Sequence, residues 1–257
     1  MATLRAYKAL DSSGSGTVSS VVAALADILA WCLSNPNKPF VINLSLNGGQ
    51  SSTLDNELYA LQQNCHVCIS VAAGNSGGNA CDYSPSDATG VLSVMATDDT
   101  DTIASFSNTG SCTNLAAPGV NVQGAWPFDG NGNPCNDCTA ILSGTSMASP
   151  LGGGVCAIYL GMAVPNWVPG NENAGSTILQ DVLDEATPSL PLVFSYVNAS
   201  LFLAPNPPPL PPPPPPNPPR YDPPEDYGQS NPVPVGMAPG RVEPLLALGL
   251  LAVVWWV

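Results

Sequence analysis

Ser143-Gly144-Thr145-Ser146-Met147-Ala148-Ser149-Pro150 is a Gly-Thr turn that leads straight into a run of small and apolar residues. That order puts a hydroxyl at the N-terminus of a helix. Unpaired backbone N–H groups and the helix dipole there favour developing negative charge. A lone Ser or Thr in such a place is an ordinary helix cap. Eight residues in this order predict more than a cap and single out Ser146. The helix runs on to about Leu160 and contains Gly152-Gly153-Gly154. Each such glycine costs roughly 0.8–1 kcal/mol relative to alanine in a helix interior.

Working back along the chain, residues 4–10 read as a short strand ending in the turn Asp11–Gly16. Val18, Val21, Val22, Leu25, Ile28, Leu29 and Cys32 recur at spacings of three and four, which predicts a helix capped by Thr17 or Ser19. Phe40–Leu46, Val67–Ala73 and Val91–Ala96 are apolar runs of strand type, and Leu54, Leu58 and Leu61 behind Ser51 and Ser52 predict a second helix. Strands that look buried on both faces, alternating with amphipathic helices, predict an α/β domain with a mainly parallel sheet. After Ser146 a last helix is expected around Thr177–Glu185 and a strand around Leu192–Val197.

The chain has 257 residues, with 5 Lys and Arg against 19 Asp and Glu and a formal net charge of −14. No basic footprint exists to neutralise phosphates, which excludes nucleic acid as a partner and disfavours an anionic membrane surface. Hydrophobic residues make up 44% of the chain, enough for a packed core, so the acidity is that of a solvated surface. Eight cysteines, an even number, point to an oxidising compartment and disulfides whose pairing the spacing leaves open. Cys65/Cys68 and Cys135/Cys138 are C-x-x-C pairs, but they lie too far apart in sequence for a zinc ribbon. Disulfides or buried thiols are the stronger reading, and no metal site is assigned.

Four segments in order resemble the subtilases, the subtilisin-like serine proteases, of the proteinase K type. They are Leu10-Asp11-Ser12-Ser13-Gly14-Ser15-Gly16, Val41–Leu46 with Asn47-Gly48-Gly49, Val71-Ala72-Ala73-Gly74-Asn75, and the Ser146 motif. Phe106-Ser107-Asn108 and Ala117-Pro118-Gly119 match between them, and the resemblance covers roughly residues 6–200. It implies a three-layer α/β/α fold with a mainly parallel sheet, here lacking its N-terminal strands. It implies Ser146 as nucleophile of a serine endopeptidase. The Asn75 amide and the Ser146 N–H would form an oxyanion hole, where fixed donors stabilise charge on the carbonyl oxygen. A polypeptide substrate would lie extended between Gly14-Ser15-Gly16 and Ser45-Leu46-Asn47, recognised by its backbone. Ala72, Ala73 and Gly74 would floor a pocket for a sizeable apolar side chain.

The resemblance also implies a triad aspartate and histidine N-terminal to Asp11, and neither motif is present. The one histidine, His66, stands nine residues before Asn75 in the same strand region and reads as a structural residue beside Cys65 and Cys68. Without a base, Ser146 is a weak nucleophile, so this chain alone is expected to be inactive. The sequence reads as the C-terminal three-quarters of a subtilase: a truncated gene model, a shortened transcript or a fragment. No cofactor is required. A structural calcium ion is compatible with the resemblance, although the family's calcium-site aspartate aligns near Asn114, and Asp98, Asp99 and Asp101 also read as solvated turn residues.

Residues 1–204 form the expected peptidase domain, 205–243 a proline-rich linker and 244–257 an apolar tail. Pro205–Pro219 is a stiff polyproline spacer. Leu245–Val257 is short of the roughly 20 apolar residues of a membrane span. It reads as a GPI signal, a partial membrane helix or a translated non-coding end. Asn198-Ala199-Ser200 and Asn43-Leu44-Ser45 are sequons, the second inside a strand. No signal peptide opens the sequence. An extracellular or cell-surface monomer is nonetheless expected, with membrane attachment through the tail as one reading. The rival function is a non-catalytic, surface-anchored peptide-binding or structural protein.

Overall fold

The computed structural model describes residues 2–11, 14–36, 38–65, 67–163, 241–243 and 250–256. Strands β1 (Ala2–Lys8) and β2 (Gly16–Thr17) precede helix α1 (Val18–Ser34). Thr17 starts that helix through a reciprocal cap. Its hydroxyl accepts the Ser20 N–H at 3.2 Å, and the Ser20 hydroxyl accepts the Thr17 N–H at 3.2 Å. Strands β3 (Phe40–Leu44) and β4 (Asn47–Gly49) follow, then helix α2 (Ser52–Cys65) and strand β5 (Cys68–Ala72). Next come β6 (Tyr83–Ser84), β7 (Leu92–Thr97), β8 (Leu115–Pro118), β9 (Val122–Phe128) and β10 (Pro134–Leu142). Helix α3 spans Thr145–Ala163, and β11 (Arg241–Glu243) and β12 (Leu250–Trp256) complete the order.

The main sheet runs β1-β12-β3-β5-β7-β8. From β3 to β8 every pairing is parallel. Alternation along the strands divides the core between two helical layers. Phe40, Ile42, Leu44, Ile69 and Val71 pack with Leu25, Ile28, Leu54, Leu58 and Leu61 of α1 and α2. Val41, Cys68, Leu92 and Val94 face the other way, against Ala148, Cys156 and Leu160 of α3. This is the expected three-layer α/β/α arrangement. That contact explains the first glycine of the α3 triplet, Gly152, but not Gly154, whose Cβ would meet nothing within 4 Å. A Cβ on Gly152 would stand 3.0 Å from Ser70 Oγ and 3.0 Å from Val94 Cγ2, so helix and sheet approach more closely than a side chain allows.

Four disulfides join Cys32 to Cys65, Cys68 to Cys156, Cys81 to Cys112 and Cys135 to Cys138. The first C-x-x-C pair is split between layers: Cys65 ends α2 and reaches α1, whereas Cys68 lies on the opposite face of the sheet and reaches α3. Residues 250–256, read from sequence as part of an appended tail, form β12 inside the main sheet, antiparallel to both β1 and β3. The helix expected at 177–185, the strand at 192–197, the polyproline block, Asn198 and His66 lie outside the described residues. No helix among the described residues is long and apolar enough to cross a membrane.

Candidate active site

The serine motif folds as its residue types dictate. Gly144 takes a φ of +156° at the end of the turn, and its N–H donates to the Gly119 carbonyl at 2.7 Å. Thr145 then opens α3, with Ser146 in its first turn and only 4% exposed. Asn75 follows the C-terminal end of β5. Its Oδ1 accepts the Thr145 N–H at 2.9 Å and the Thr145 hydroxyl at 2.8 Å. One orphan donor of the helix N-terminus is thereby satisfied, and the amide is fixed in orientation. With Oδ1 engaged there, Nδ2 stands 3.1 Å from the position a Cβ would take on Gly144, at the mouth of the helix. The two residues expected to form an oxyanion hole are thus brought together.

A polar network lies beneath Ser146. Ser146 Oγ donates to the Ser45 carbonyl at 3.3 Å, and Ser45 Oγ donates to the Ser146 carbonyl at 2.9 Å. In a regular helix that carbonyl would accept from the N–H of residue 150, which is proline and has none. Ser45 takes the vacated acceptor. Asn43 Nδ2 donates to Ser45 Oγ at 3.0 Å, and Asn43 Oδ1 accepts from Ser149 Oγ at 2.7 Å. Both ends of the Asn43 amide are committed inside the protein, so the Asn43 sequon is closed to glycosylation in the folded chain. Thr145, Asn43 and Ser149 were not singled out as site residues from sequence. A polar Asn within the apolar run Phe40–Leu46 was the signal that marked one of them.

The expected substrate-flanking segments are also placed. Asp11 closes the loop ahead of β2: its N–H donates to the Ser15 carbonyl at 2.8 Å and its Oδ1 accepts the Ser15 N–H at 3.1 Å. Gly14 has φ +73°, and Gly16 begins β2. Leu46 and Asn47 are buried. Asn47 Oδ1 lies 3.3 Å from where a Cβ of Gly74 would be, which sets the 45–47 and 72–74 segments side by side. Gly74 (φ +107°) has no room for a side chain, since its Cβ would fall 2.2 Å from Asn108 Nδ2. Asn108 in turn fastens the loop after Asn75, its Oδ1 accepting from the N–H groups of Ser76 and Gly78 at 3.0 Å each. Ala73 packs in the core with Ala80, Met95 and Ala116, so its side chain faces inward.

The aspartates weighed as calcium ligands do not gather into a cluster among the described residues. Asp98 Oδ1 already accepts three donors, the Thr100 N–H and hydroxyl and the Thr102 N–H. These hold its carboxyl below the usual carboxylate range, the Thr100 hydroxyl contributing most. Asn114 donates from Nδ2 to the Val91 carbonyl at 2.9 Å. Cys135, Asp137 and Cys138 do lie together, but their two sulfurs are joined as a disulfide.

A three-layer α/β/α fold with a buried serine at a helix N-terminus, beside a fixed amide, defines a serine-peptidase architecture. Residues 1–192 match the model of the Subtilase family, and the chain belongs to that family. It is 40% identical over 188 residues to the extracellular serine proteinase of Thermus sp. (strain Rt41A), covering 73% of this chain and 42% of that protein. Over 162 residues it is 40% identical to proteinase T of Parengyodontium album, covering 62% of this chain and 52% of that protein. The crystal structure of a cold-adapted subtilisin-like serine proteinase superposes with a TM-score of 0.58 at 34% identity, covering 72% of this chain and 60% of that one. The chain therefore spans less than two thirds of the length of these relatives.

Proposed function

We propose that this chain carries the nucleophile half of a serine endopeptidase that hydrolyses peptide bonds through an acyl-enzyme on Ser146. The observation that carries this reading is the Asn75–Thr145–Ser146 arrangement. Asn75 is held through Oδ1 with Nδ2 turned to the helix N-terminus, where Nδ2 and the Ser146 N–H would donate to the carbonyl oxygen of a substrate. As Ser146 attacks, charge moves onto that oxygen and the prearranged donors stabilise it without reorganising. Removing the equivalent asparagine donor in subtilisin, a standard reference case, costs about 10²–10³ in turnover. The polypeptide lies extended between Gly14–Gly16 and Ser45–Asn47. Ala72, Ala73 and Gly74 present backbone to its side-chain pocket.

Attack also requires a base to accept the Ser146 proton. His66 is the only histidine of the chain and stands at the sequence entry of β5, whose other end leads to Asn75. We assign it no catalytic role, and the chain on its own does not turn over. Its partner is a polypeptide substrate, and it acts as an extracellular or cell-surface monomer. The four disulfides support an oxidising compartment, and membrane attachment through the C-terminal region belongs to the same proposal. A calcium ion is not required.

A fluorophosphonate probe tests activation directly. The expected result is no stoichiometric labelling of Ser146 in this chain, and robust labelling would refute the absence of a base. Sequencing upstream of the Met1 codon tests the endopeptidase assignment. In-frame aspartate and His-Gly motifs within about a hundred codons, a stretch well within the size of a typical domain, support it. An in-frame stop directly upstream, with a stable folded product, sinks it in favour of a peptide-binding protein.

A further inference from the structure

Strand β11 lies between the two segments that flank the proposed cleft. Arg241 pairs with Thr17 and Val242 with Gly16 on one side. On the other, Val242 pairs with Gly48 and Glu243 with Asn47. The order of this second sheet is β2-β11-β4-β6, so β2 and β4 are joined through β11. An extended polypeptide recognised by its backbone needs those same two edges, and here the chain's own strand uses both.

The direction of β11 is that of a substrate. From Val242 to Glu243 the strand passes from Gly48 to Asn47 along β4, towards Ser45. The Ser45 carbonyl is the group that accepts the Ser146 hydroxyl at 3.3 Å. A strand continued in this register reaches Ser45 two residues beyond Asn47, or about 7 Å at the usual strand rise. The occupant thus enters with its C-terminal side leading to the nucleophile. On that side the chain is also anchored, because β12 is built into the main sheet between β1 and β3. A tethered segment competes at an effective concentration on the order of millimolar.

We propose that Arg241–Glu243 is an intramolecular occupant of the polypeptide cleft, seated in substrate polarity, and that an incoming polypeptide binds only by displacing it. The proposal rests on the reading of 14–16 and 45–47 as that cleft. It adds the identity of the competing ligand and the polarity in which it binds.

The test uses the full chain and a Val242→Pro variant, since proline removes the backbone N–H and does not fit the centre of a sheet. The probe is a fluorescent nonapeptide of the chain's own residues 239–247, Pro-Gly-Arg-Val-Glu-Pro-Leu-Leu-Ala. The expected result is at least ten-fold tighter binding to V242P than to the parent chain. Equal binding to both overturns the occupant and leaves the cleft standing. Binding to neither overturns the cleft reading and the occupant with it. Hydrogen exchange on the unmodified chain keeps the question open to refutation even where V242P does not fold. Gly16 pairs in a sheet with β11 alone among the described residues, whereas the N–H groups of Gly14, Ser15 and Thr17 donate to Asp11 and Ser20. The Gly16 amide therefore reports on β11 and should exchange slowly; its exchange at the rate of an open loop overturns the proposal.

Discussion

Ser45 and Ser146, 101 residues apart in sequence, exchange hydrogen bonds in both directions, each hydroxyl donating to the other's backbone carbonyl. Their reciprocity fixes the start of α3 against the end of β3. It exists because Pro150 leaves the Ser146 carbonyl without its helical donor.

That dependence makes the two positions energetically coupled. Ser45→Ala should lower the unfolding free energy by about 1–3 kcal/mol, the range for stranding a buried hydrogen-bonding group. The same change in a Pro150→Ala background should cost less, because residue 150 then supplies an N–H to Ser146. A double-mutant cycle from urea denaturation measures the difference, and strictly additive effects would show that Pro150 has no part in the arrangement.

Asn75 has two separable jobs. Its Oδ1 holds Thr145 and its Nδ2 faces the helix mouth. Asn75→Asp keeps an acceptor for Thr145 and should remain within about 1 kcal/mol of the parent, whereas Asn75→Leu should lose about 1–3 kcal/mol through unpaired donors. Urea midpoints for the two variants decide it. Equal losses would mean that the Thr145 bonds contribute nothing to stability.

The disulfides should be unequal in effect. Cys68–Cys156 closes 88 residues and ties β5 to α3, whereas Cys135–Cys138 closes three within β10. Loop-closure entropy gives about 4–5 kcal/mol for the first and about 2 kcal/mol or less for the second. Paired Cys→Ala variants, compared by thermal unfolding, should show the larger drop in Tm for 68/156. Matching drops would remove chain entropy as the explanation.

Acid should weaken the fold partly through Asp98. Its folded pKa is depressed, so its contribution is complete above the unfolded value of about 4. The contribution is lost as pH falls through the lower folded value. Asp55 has the opposite sign: burial chiefly raises its pKa, so its contribution is present in acid and lost as pH rises through that raised value. Asp98→Asn should therefore flatten the acid limb of stability below about pH 4. An unchanged limb in urea titrations from neutral pH downward would assign acid lability elsewhere.

The local signals in the sequence carried far. Helices α1 and α2 were legible from apolar spacing because each buries one stripe, and β3, β5 and β7 were legible as short apolar runs because both their faces are covered. The candidate site was legible where contiguous motifs, Ser143–Pro150 and Val71–Asn75, supplied residues that the fold brings together. Long-range pairing was not. Nothing in Leu250–Trp256 distinguishes a sheet strand from an apolar tail, because the distinction lies in β1 and β3, remote in sequence. Nor does Arg241–Glu243 carry any mark of its place between β2 and β4. The hairpin β9–β10 was missed for a different reason: it is largely exposed, so its residues lack apolar alternation.

The strand order β1-β12-β3 also bears on how such a chain is made. During vectorial synthesis β1 leaves the ribosome well ahead of its sheet partner among the described residues, β12, since Lys8 pairs with Leu250 and Ala2 with Trp256. Until that partner emerges β1 has an open edge, a state in which nascent chains are prone to aggregate. Assembly of this side of the sheet therefore waits until Leu250–Trp256 has been synthesised, and chaperone demand should fall on the interval before it.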